Sequence, residues 1–182
     1  RGRGDVYKRQ GLLCFGEALG LRPASAAPGY ASRLFDDGRV HTVDLRVEEG
    51  EIQTAILIPK ASYDRTFGHY IKYAMRNAMD IATIGCSVNV KLSEDKKTME
   101  DVRVAYGVAG PIPMRAVHAE ERAKGQPVTE EAVKAAAQAV LEDIHPRDSW
   151  RASKDFREHI AVVLAERGLR EAIRLSGGEI HA

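Results

Sequence analysis

The side chains best suited to chemistry in this sequence are its histidines, its cysteines and one short cluster of charges. The 6 histidines lie at positions 41, 69, 118, 145, 159 and 181. No two of them are three or four residues apart, the spacing that would place two histidine ligands of one metal ion on the same helix face. The 2 cysteines, Cys14 and Cys86, are too far apart for a paired-cysteine zinc motif or an iron–sulfur loop. The sequence therefore predicts no metal site and no disulfide framework, and it favours a reducing, cytoplasmic compartment.

Cys86 is the candidate nucleophile, but its place in the sequence argues against that role. The segment IATIGCSVNVKL alternates apolar and polar residues, and Cys86 falls on the apolar side. A thiol in the apolar face of a strand is normally an inert, small hydrophobic group with a raised pKa. The sequence thus predicts a core cysteine and disfavours a stand-alone thiol enzyme. Gly107 and Gly110 precede a proline-containing loop, so no phosphate-binding glycine loop is predicted.

Two polar clusters remain. Lys72, Arg76 and Asp80 lie where a predicted strand ends, and their simplest interpretation is a surface ion pair worth about 0.5 kcal/mol. The second cluster, HPRDSWRAS, separates two predicted helices. We interpret it as an ordered loop that pins one helix on the other, with Trp150 supplying buried area and Arg151 covering it.

The elements that position these residues follow from a change of period along the chain. A short β-branched run at 51–59 ends in proline, as a strand does on leaving a sheet. The next segment alternates, with one side formed by Phe67, His69, Ile71, Tyr73 and Met75. Two further alternating segments flank the polar turn SEDKK, which predicts an antiparallel hairpin.

After Gly110 the apolar residues recur at helical spacing. A short helix is predicted near 114–124, ending at Gly125. Thr129 and Ser153 are predicted N-caps, Pro146 stops the second helix, and the last helix ends near Gly177 and Gly178. The predicted apolar stripe of the second helix is Val133, Ala137, Val140, Leu141 and Ile144. Strands followed by helices predict an α+β fold, an antiparallel sheet of three to four strands followed by about three helices packed on one face.

Composition sets the limits on function. The chain has 182 residues, 44% of them hydrophobic, and 27 Lys+Arg against 26 Asp+Glu. A net charge of +1 and few aromatic residues argue against a nucleic-acid partner, and the sequence shows no apolar run of membrane-spanning length. We predict a poorly defined segment at 1–42, a folded domain at 43–178 and a short tail at 179–182.

Four motifs, taken in order, resemble one known family. They are KYAMRNAMDIA at 72–82, VRVAYGVAGPIPMRA ending at Arg115 and Ala116, Glu120 with Gly125, and PRDSWRASKDFR at 146–157. Together they resemble the C-terminal domain of the FAD-binding flavoprotein subunit of molybdenum hydroxylases, the family of xanthine dehydrogenases and carbon monoxide dehydrogenase. The similarity is greatest to the subunit of bacterial three-subunit xanthine dehydrogenases.

The resemblance implies a division of labour. A molybdopterin-binding large subunit oxidises the substrate, a small subunit carries [2Fe–2S] clusters, and the flavin subunit passes electrons through FAD to NAD. It also implies site residues. Lys72 matches a lysine at the isoalloxazine end of FAD, and Gln53 matches a position that approaches the ring. Arg76 and Asp80 match positions where a charge pair could hold Lys72 and tune the local field.

The resemblance assigns other residues to packing and leaves an alternative function open. Arg115 and the segment Trp150 to Arg157 are expected to define the fold. The family's glycine-rich pyrophosphate loops are absent, so we expect this chain to be a C-terminal portion of a longer subunit with an incomplete FAD site. The alternative is a module that only docks partner subunits and makes no contact with the cofactor.

Overall fold

The structure, a computed structural model, describes residues 60–111 and 113–181. Gln53, the predicted strand at 51–59 and the segment at 1–42 lie outside the described residues. In chain order the elements are helix α1 (Lys60–Tyr63), strands β1 (Thr66–Tyr73), β2 (Ile84–Leu92), β3 (Met99–Gly107) and β4 (Met114–Arg115), helices α2 (Val117–Ala123) and α3 (Glu130–Ala139), a 3₁₀ turn (Val140–Glu142), and helix α4 (Lys154–Leu175).

The described strands form one antiparallel sheet in the order β1-β2-β3-β4. Helix α4 packs on β1 and β2, while α2 packs on β3. This is the α+β arrangement that the sequence predicts, with strands first and helices after them. The order places the ends of β1 and β2 next to each other, with Tyr73 opposite Ile84.

The core lies between the sheet and its helices. Alternate residues of β2 and β3 face the helices and are buried, as the period of two requires, and Cys86 is among them at 1% exposure. The hydroxyl of Tyr106 donates to the carbonyl of Ala161 in α4 over 2.6 Å, which ties the sheet to the helix. The prediction that Cys86 is a core residue is confirmed.

The second face of β2 differs from its sequence pattern. Ser87 and Asn89 alternate with the apolar residues, yet both are buried. Strand β2 is central, so its polar side chains are flanked by β1 and β3 on either side. Gly68 of β1, which pairs with Asn89, has no side chain, and Oδ1 of Asn89 occupies the space where its Cβ would be.

Three helix boundaries follow local signals. Thr129 caps α3 by accepting a hydrogen bond from the backbone N–H of Ala132, and Ser153 caps α4 by accepting from that of Phe156. Gly125 has a φ of +77°, the left-handed conformation expected just after a helix. The predicted helix near 114–124 starts later than expected, at Val117, because Met114 and Arg115 pair with β3.

Several side chains that the sequence analysis places on an apolar face or in a buried contact are exposed instead. Phe67, on the predicted apolar side of β1, is 45% exposed. Met75 is 67% exposed because β1 stops at Tyr73, so the alternation does not continue into the next loop. Leu141 is 37% exposed because the chain tightens into a 3₁₀ turn there, which rotates it out of the helical stripe. Trp150 is 86% exposed and contributes no buried area.

Candidate functional site

Lys72, Arg76 and Asp80 come together at the loop that joins β1 to β2. The backbone N–H of Thr83 donates to the carbonyl of Tyr73 over 2.8 Å and closes this loop, which we call the 74–82 loop. Lys72 is the next-to-last residue of β1, and its side chain is on the exposed side of the strand. The strand end thus brings a lysine to the base of a closed loop.

Lys72 is held by the backbone of the loop. Its Nζ donates to the main-chain carbonyl of Asp80 over 2.6 Å. The sequence interpretation has the Arg76 and Asp80 charge pair holding the lysine, and in the structure Lys72 contacts the main chain of Asp80. This hydrogen bond fixes the position of the ammonium group across the loop.

Asp80 organises the loop with both carboxylate oxygens. Oδ2 accepts from the backbone N–H of Arg76 over 2.9 Å, and Oδ1 accepts from that of Ile81 over 2.8 Å. Burial tends to raise the pKa of Asp80, but these backbone hydrogen bonds and the charge of Arg76 outweigh it and hold the pKa below its ordinary value. Asp80 is therefore ionised at neutral pH.

Arg76 braces the far side of the same loop. One guanidinium nitrogen donates to the carbonyl of Met79 over 2.9 Å and lies 3.9 Å from the Asp80 carboxylate. Met79 has a φ of +51°, which is uncommon for a side chain with a Cβ, and the arginine bonds the carbonyl of that residue. The three predicted residues are thus one connected cluster, and Gln53 lies outside the described residues.

Exposed apolar side chains surround this cluster. Met79 is 95% exposed, Ile81 is 55% exposed and Met75 is 67% exposed, all on the 74–82 loop. Tyr70, on the same side of β1 as Lys72, is 38% exposed. The sequence analysis did not predict that these methionines and the isoleucine are exposed. The feature that could have indicated their exposure is their position near Asp80, in a segment without strand or helix periodicity. A fixed cation with an apolar rim can receive a flat, largely apolar group that carries polar oxygens at one end.

Within the described ranges, no group of three or more His, Cys, Asp or Glu side chains is arranged to hold a metal ion. In the same ranges, no helix is long and apolar enough to cross a membrane.

Comparison with known proteins assigns the fold to a family. Residues 69–172 match the model of the CO dehydrogenase flavoprotein C-terminal domain, a range that includes most of the sheet, the 74–82 loop and most of α4. This chain belongs to that family. The matched region contains Lys72, Arg76 and Asp80.

Relatives of this flavoprotein C-terminal domain are dehydrogenase subunits. The chain is 39% identical over 134 residues to the xanthine dehydrogenase FAD-binding subunit of Escherichia coli O157:H7, a match that covers 74% of this chain and 45% of the relative. The chain therefore spans less than half the length of that relative. The family domain is one part of a longer subunit there.

Solved structures share the same arrangement. A carbon monoxide dehydrogenase from Hydrogenophaga pseudoflava that lacks the Mo-pyranopterin moiety of its cofactor matches with a TM-score of 0.58 and 28% identity, over 71% of this chain and 44% of that one. Quinoline 2-oxidoreductase from Pseudomonas putida 86 matches with a TM-score of 0.66 and 21% identity, over 92% of this chain and 56% of that one. The second likeness concerns the fold alone.

Proposed function

We propose that this chain is the C-terminal portion of the FAD-binding subunit of a molybdenum hydroxylase of xanthine dehydrogenase type. In that enzyme, electrons pass from [2Fe–2S] clusters on a small subunit through FAD to NAD, and a molybdopterin-binding large subunit oxidises the substrate. The observation that carries the proposal is the 39% identity to a xanthine dehydrogenase FAD-binding subunit across the family domain. The protein is expected to work in the cytoplasm, as part of this assembly.

The described residues fit one end of FAD. The isoalloxazine ring joins an apolar benzenoid part to a pyrimidine part with two carbonyl oxygens. The 74–82 loop offers apolar side chains, and Lys72 beside it offers a fixed cation. The other cation of the cluster, Arg76, uses Nη2 to bond the carbonyl of Met79 and lies 3.9 Å from the Asp80 carboxylate. The fit is therefore to the ring, with Gln53 as an additional proposed contact.

Each residue of the cluster has a separate task in this proposal. When bound, FAD supplies two-electron chemistry and acceptance of single electrons. Lys72 would place positive charge near the ring oxygens, which would favour the electron-rich reduced form. Asp80 fixes the lysine through its carbonyl and shapes the loop through its carboxylate. Arg76 braces Met79 through the carbonyl of that residue and lies 3.9 Å from the Asp80 carboxylate.

The test is the Lys72→Met variant in the complete enzyme complex, with Lys72→Arg as the charge-retaining control. Loss of the cation destabilises reduced flavin, so we expect the flavin reduction potential to fall by tens of millivolts, where about 30 mV is tenfold for a two-electron couple. Lys72→Arg should keep most of the wild-type potential. NAD-linked turnover should slow several-fold in the methionine variant.

The docking-module alternative has one specific observation in its favour, the 86% exposure of Trp150. A module that only docks partners makes no contact with FAD. It predicts that Lys72→Met leaves both the flavin potential and the turnover unchanged, and that result would reject the cofactor role assigned to Lys72.

A further inference from the structure

Strand β1 carries two large side chains on the side of the sheet away from the helices, Tyr70 and Lys72. Ile71 and Tyr73 pack against the core, so the residues that alternate with them point the other way. Tyr70 and Lys72 are two residues apart, which places them about 7 Å from each other along the strand. Tyr70 is 38% exposed, and Lys72 is exposed as well. An aromatic ring therefore lies beside the lysine of the proposed flavin site.

The strand positions next to Tyr70 and Lys72 carry small residues. Their partners across β2 and β3 are Ser87, Ala105, Gly85 and Gly107. The residue that precedes Tyr70 on the same side of β1 is Gly68, which has no side chain. In these two rows of the described sheet, Tyr70 is thus the only aromatic side chain on the side of Lys72.

The position of the Lys72 ammonium group sets the direction of a group that binds to both residues. Nζ bonds the carbonyl of Asp80 at the loop end of β1, and Tyr70 is two residues farther from that loop. A ligand that contacts both side chains therefore runs along β1, with its polar atoms near the loop and an apolar or aromatic part over Tyr70. The isoalloxazine ring has this layout, because its carbonyl oxygens lie at one end and its benzenoid part at the other.

We propose that Tyr70 contacts FAD by stacking, with an offset, on the benzenoid part of the isoalloxazine ring, while Lys72 faces the ring oxygens. This inference rests on the proposed function, and it adds a ring contact that lies outside the cluster of Lys72, Arg76 and Asp80. Aromatic pairs favour offset stacking or edge-to-face contact, with ring centres about 4.5–7 Å apart. A tyrosine supplies a large contact area at a low cost in conformational entropy, because only two side-chain torsions become fixed.

The neighbouring lysine favours a flavin over a protein side chain as the group that contacts Tyr70. An apolar protein side chain on Tyr70 makes no use of the ammonium group beside it. The isoalloxazine ring meets both residues with one rigid group, so fixing it in place costs less conformational entropy than fixing two separate side chains. Coverage of Tyr70 by protein predicts a different experimental result, since it changes assembly and leaves the flavin unaltered.

The experiment uses the complete enzyme complex from which FAD is removed and then added back, and titration with FAD measures the Kd. We expect Tyr70→Leu to weaken the Kd about threefold to tenfold, because it removes the aromatic face, and Tyr70→Phe to stay within about twofold of the wild type. Tyr70→Trp supplies a more electron-rich ring, so the oxidised flavin should gain a broad charge-transfer absorption at long wavelength. The difference spectrum between the FAD-loaded and flavin-free complexes separates this band from the absorption of the [2Fe–2S] clusters.

Matched controls come from the opposite side of the same strand. Phe67 is 45% exposed, and the alternation of β1 places it on the side opposite Tyr70. Phe67→Leu should keep the wild-type Kd for FAD, and Phe67→Trp should give no charge-transfer band. Size-exclusion chromatography of each variant establishes whether the subunits still assemble.

Each outcome decides between the two proposals. If the wild-type complex binds no FAD, the proposed function fails and the Tyr70 contact fails with it. If FAD binds and Lys72→Met lowers the flavin potential, but Tyr70→Leu keeps the wild-type Kd and Tyr70→Trp gives no new band, the Tyr70 contact is wrong and the proposed function stands. Loss of a subunit from the Tyr70→Leu complex, with the Kd for FAD unchanged, would show that protein covers Tyr70 and would also overturn the contact.

Discussion

At the scale of single residues, His118 links two elements through one carboxylate. Its Nδ1 lies 2.7 Å from Oδ1 of Asp143, and its backbone N–H donates to Oδ2 over 3.0 Å. The hydrogen bond to Asp143, followed by the charge of that residue, raises the pKa of His118 above its ordinary 6.5. The stabilisation is therefore complete below about pH 6.5 and is lost as the pH rises through the raised pKa.

We expect His118→Gln to reduce the Tm of the protein more at pH 6 than at pH 8. Asp143→Asn should give the same pattern, because it removes the carboxylate that stabilises the protonated imidazole. Thermal unfolding followed by circular dichroism at the two pH values measures the difference. Equal losses of Tm at both pH values would show that the pair does not titrate as described.

The sequence predicts the burial and the contacts of some residues better than those of others. The strand phase places Cys86 in the core, since alternation alone determines which side faces the helices. The grouping of Lys72 with Asp80 is also predictable, but the bond to the Asp80 carbonyl depends on the path of the loop backbone. Trp150 is predicted to be buried and is exposed, because the pairing of Ser149 with Ala152 turns it outward and Arg157 fills the space beneath.

At the scale of elements, α4 lies close to β2 because a glycine faces the sheet. A Cβ added at Gly168 would lie 2.7 Å from Cγ2 of Val88, which is closer than real Cβ contacts come. Gly168→Ala gains about 1 kcal/mol of helix propensity but forces the helix off the strand, at a cost of about 1–3 kcal/mol. We expect a net loss of about 1 kcal/mol in the free energy of unfolding, measured by urea denaturation.

A double variant tests the cause of that loss. Val88→Ala removes the methyl groups that the new Cβ would meet, so Gly168→Ala should cost less in the Val88→Ala background than alone. Val90→Ala, a buried position on the same face of β2, serves as the control and should combine additively with Gly168→Ala. Additivity in both pairs would refute the contact as the reason for the glycine.

The elements themselves were largely predictable, and their ends less so. Many residues together define the change from strand to helix periodicity after Gly110. A single residue that departs from the pattern therefore does not alter the prediction. The end of β1 depends on fewer interactions, namely the Thr83 to Tyr73 bond and the carboxylate of Asp80. The spacing of the residues that make these contacts follows neither the strand period nor the helix period, so hydrophobic periodicity does not predict them.

At the scale of the whole molecule, the described residues would supply only part of the FAD site that we propose. In that proposal the ring end would contact Lys72 and the apolar rim of the 74–82 loop. The pyrophosphate of FAD carries two negative charges, and such groups are held by backbone N–H groups in glycine-rich loops or by arginines. The 74–82 loop contains no glycine, and the one arginine of the cluster already bonds the carbonyl of Met79.

We therefore expect the isolated chain to bind FAD weakly, with little quenching of flavin fluorescence at micromolar concentrations. Adding the FAD-binding N-terminal region of a relative in trans should restore tight binding, and Lys72→Met should weaken that restored complex while Lys134→Met should not. Lys134 is exposed on α3 and serves as a lysine of equal charge outside the cluster. Tight binding by the isolated chain would mean that it supplies phosphate contacts beyond the cluster, and the division of the FAD site between two parts of the subunit would be wrong.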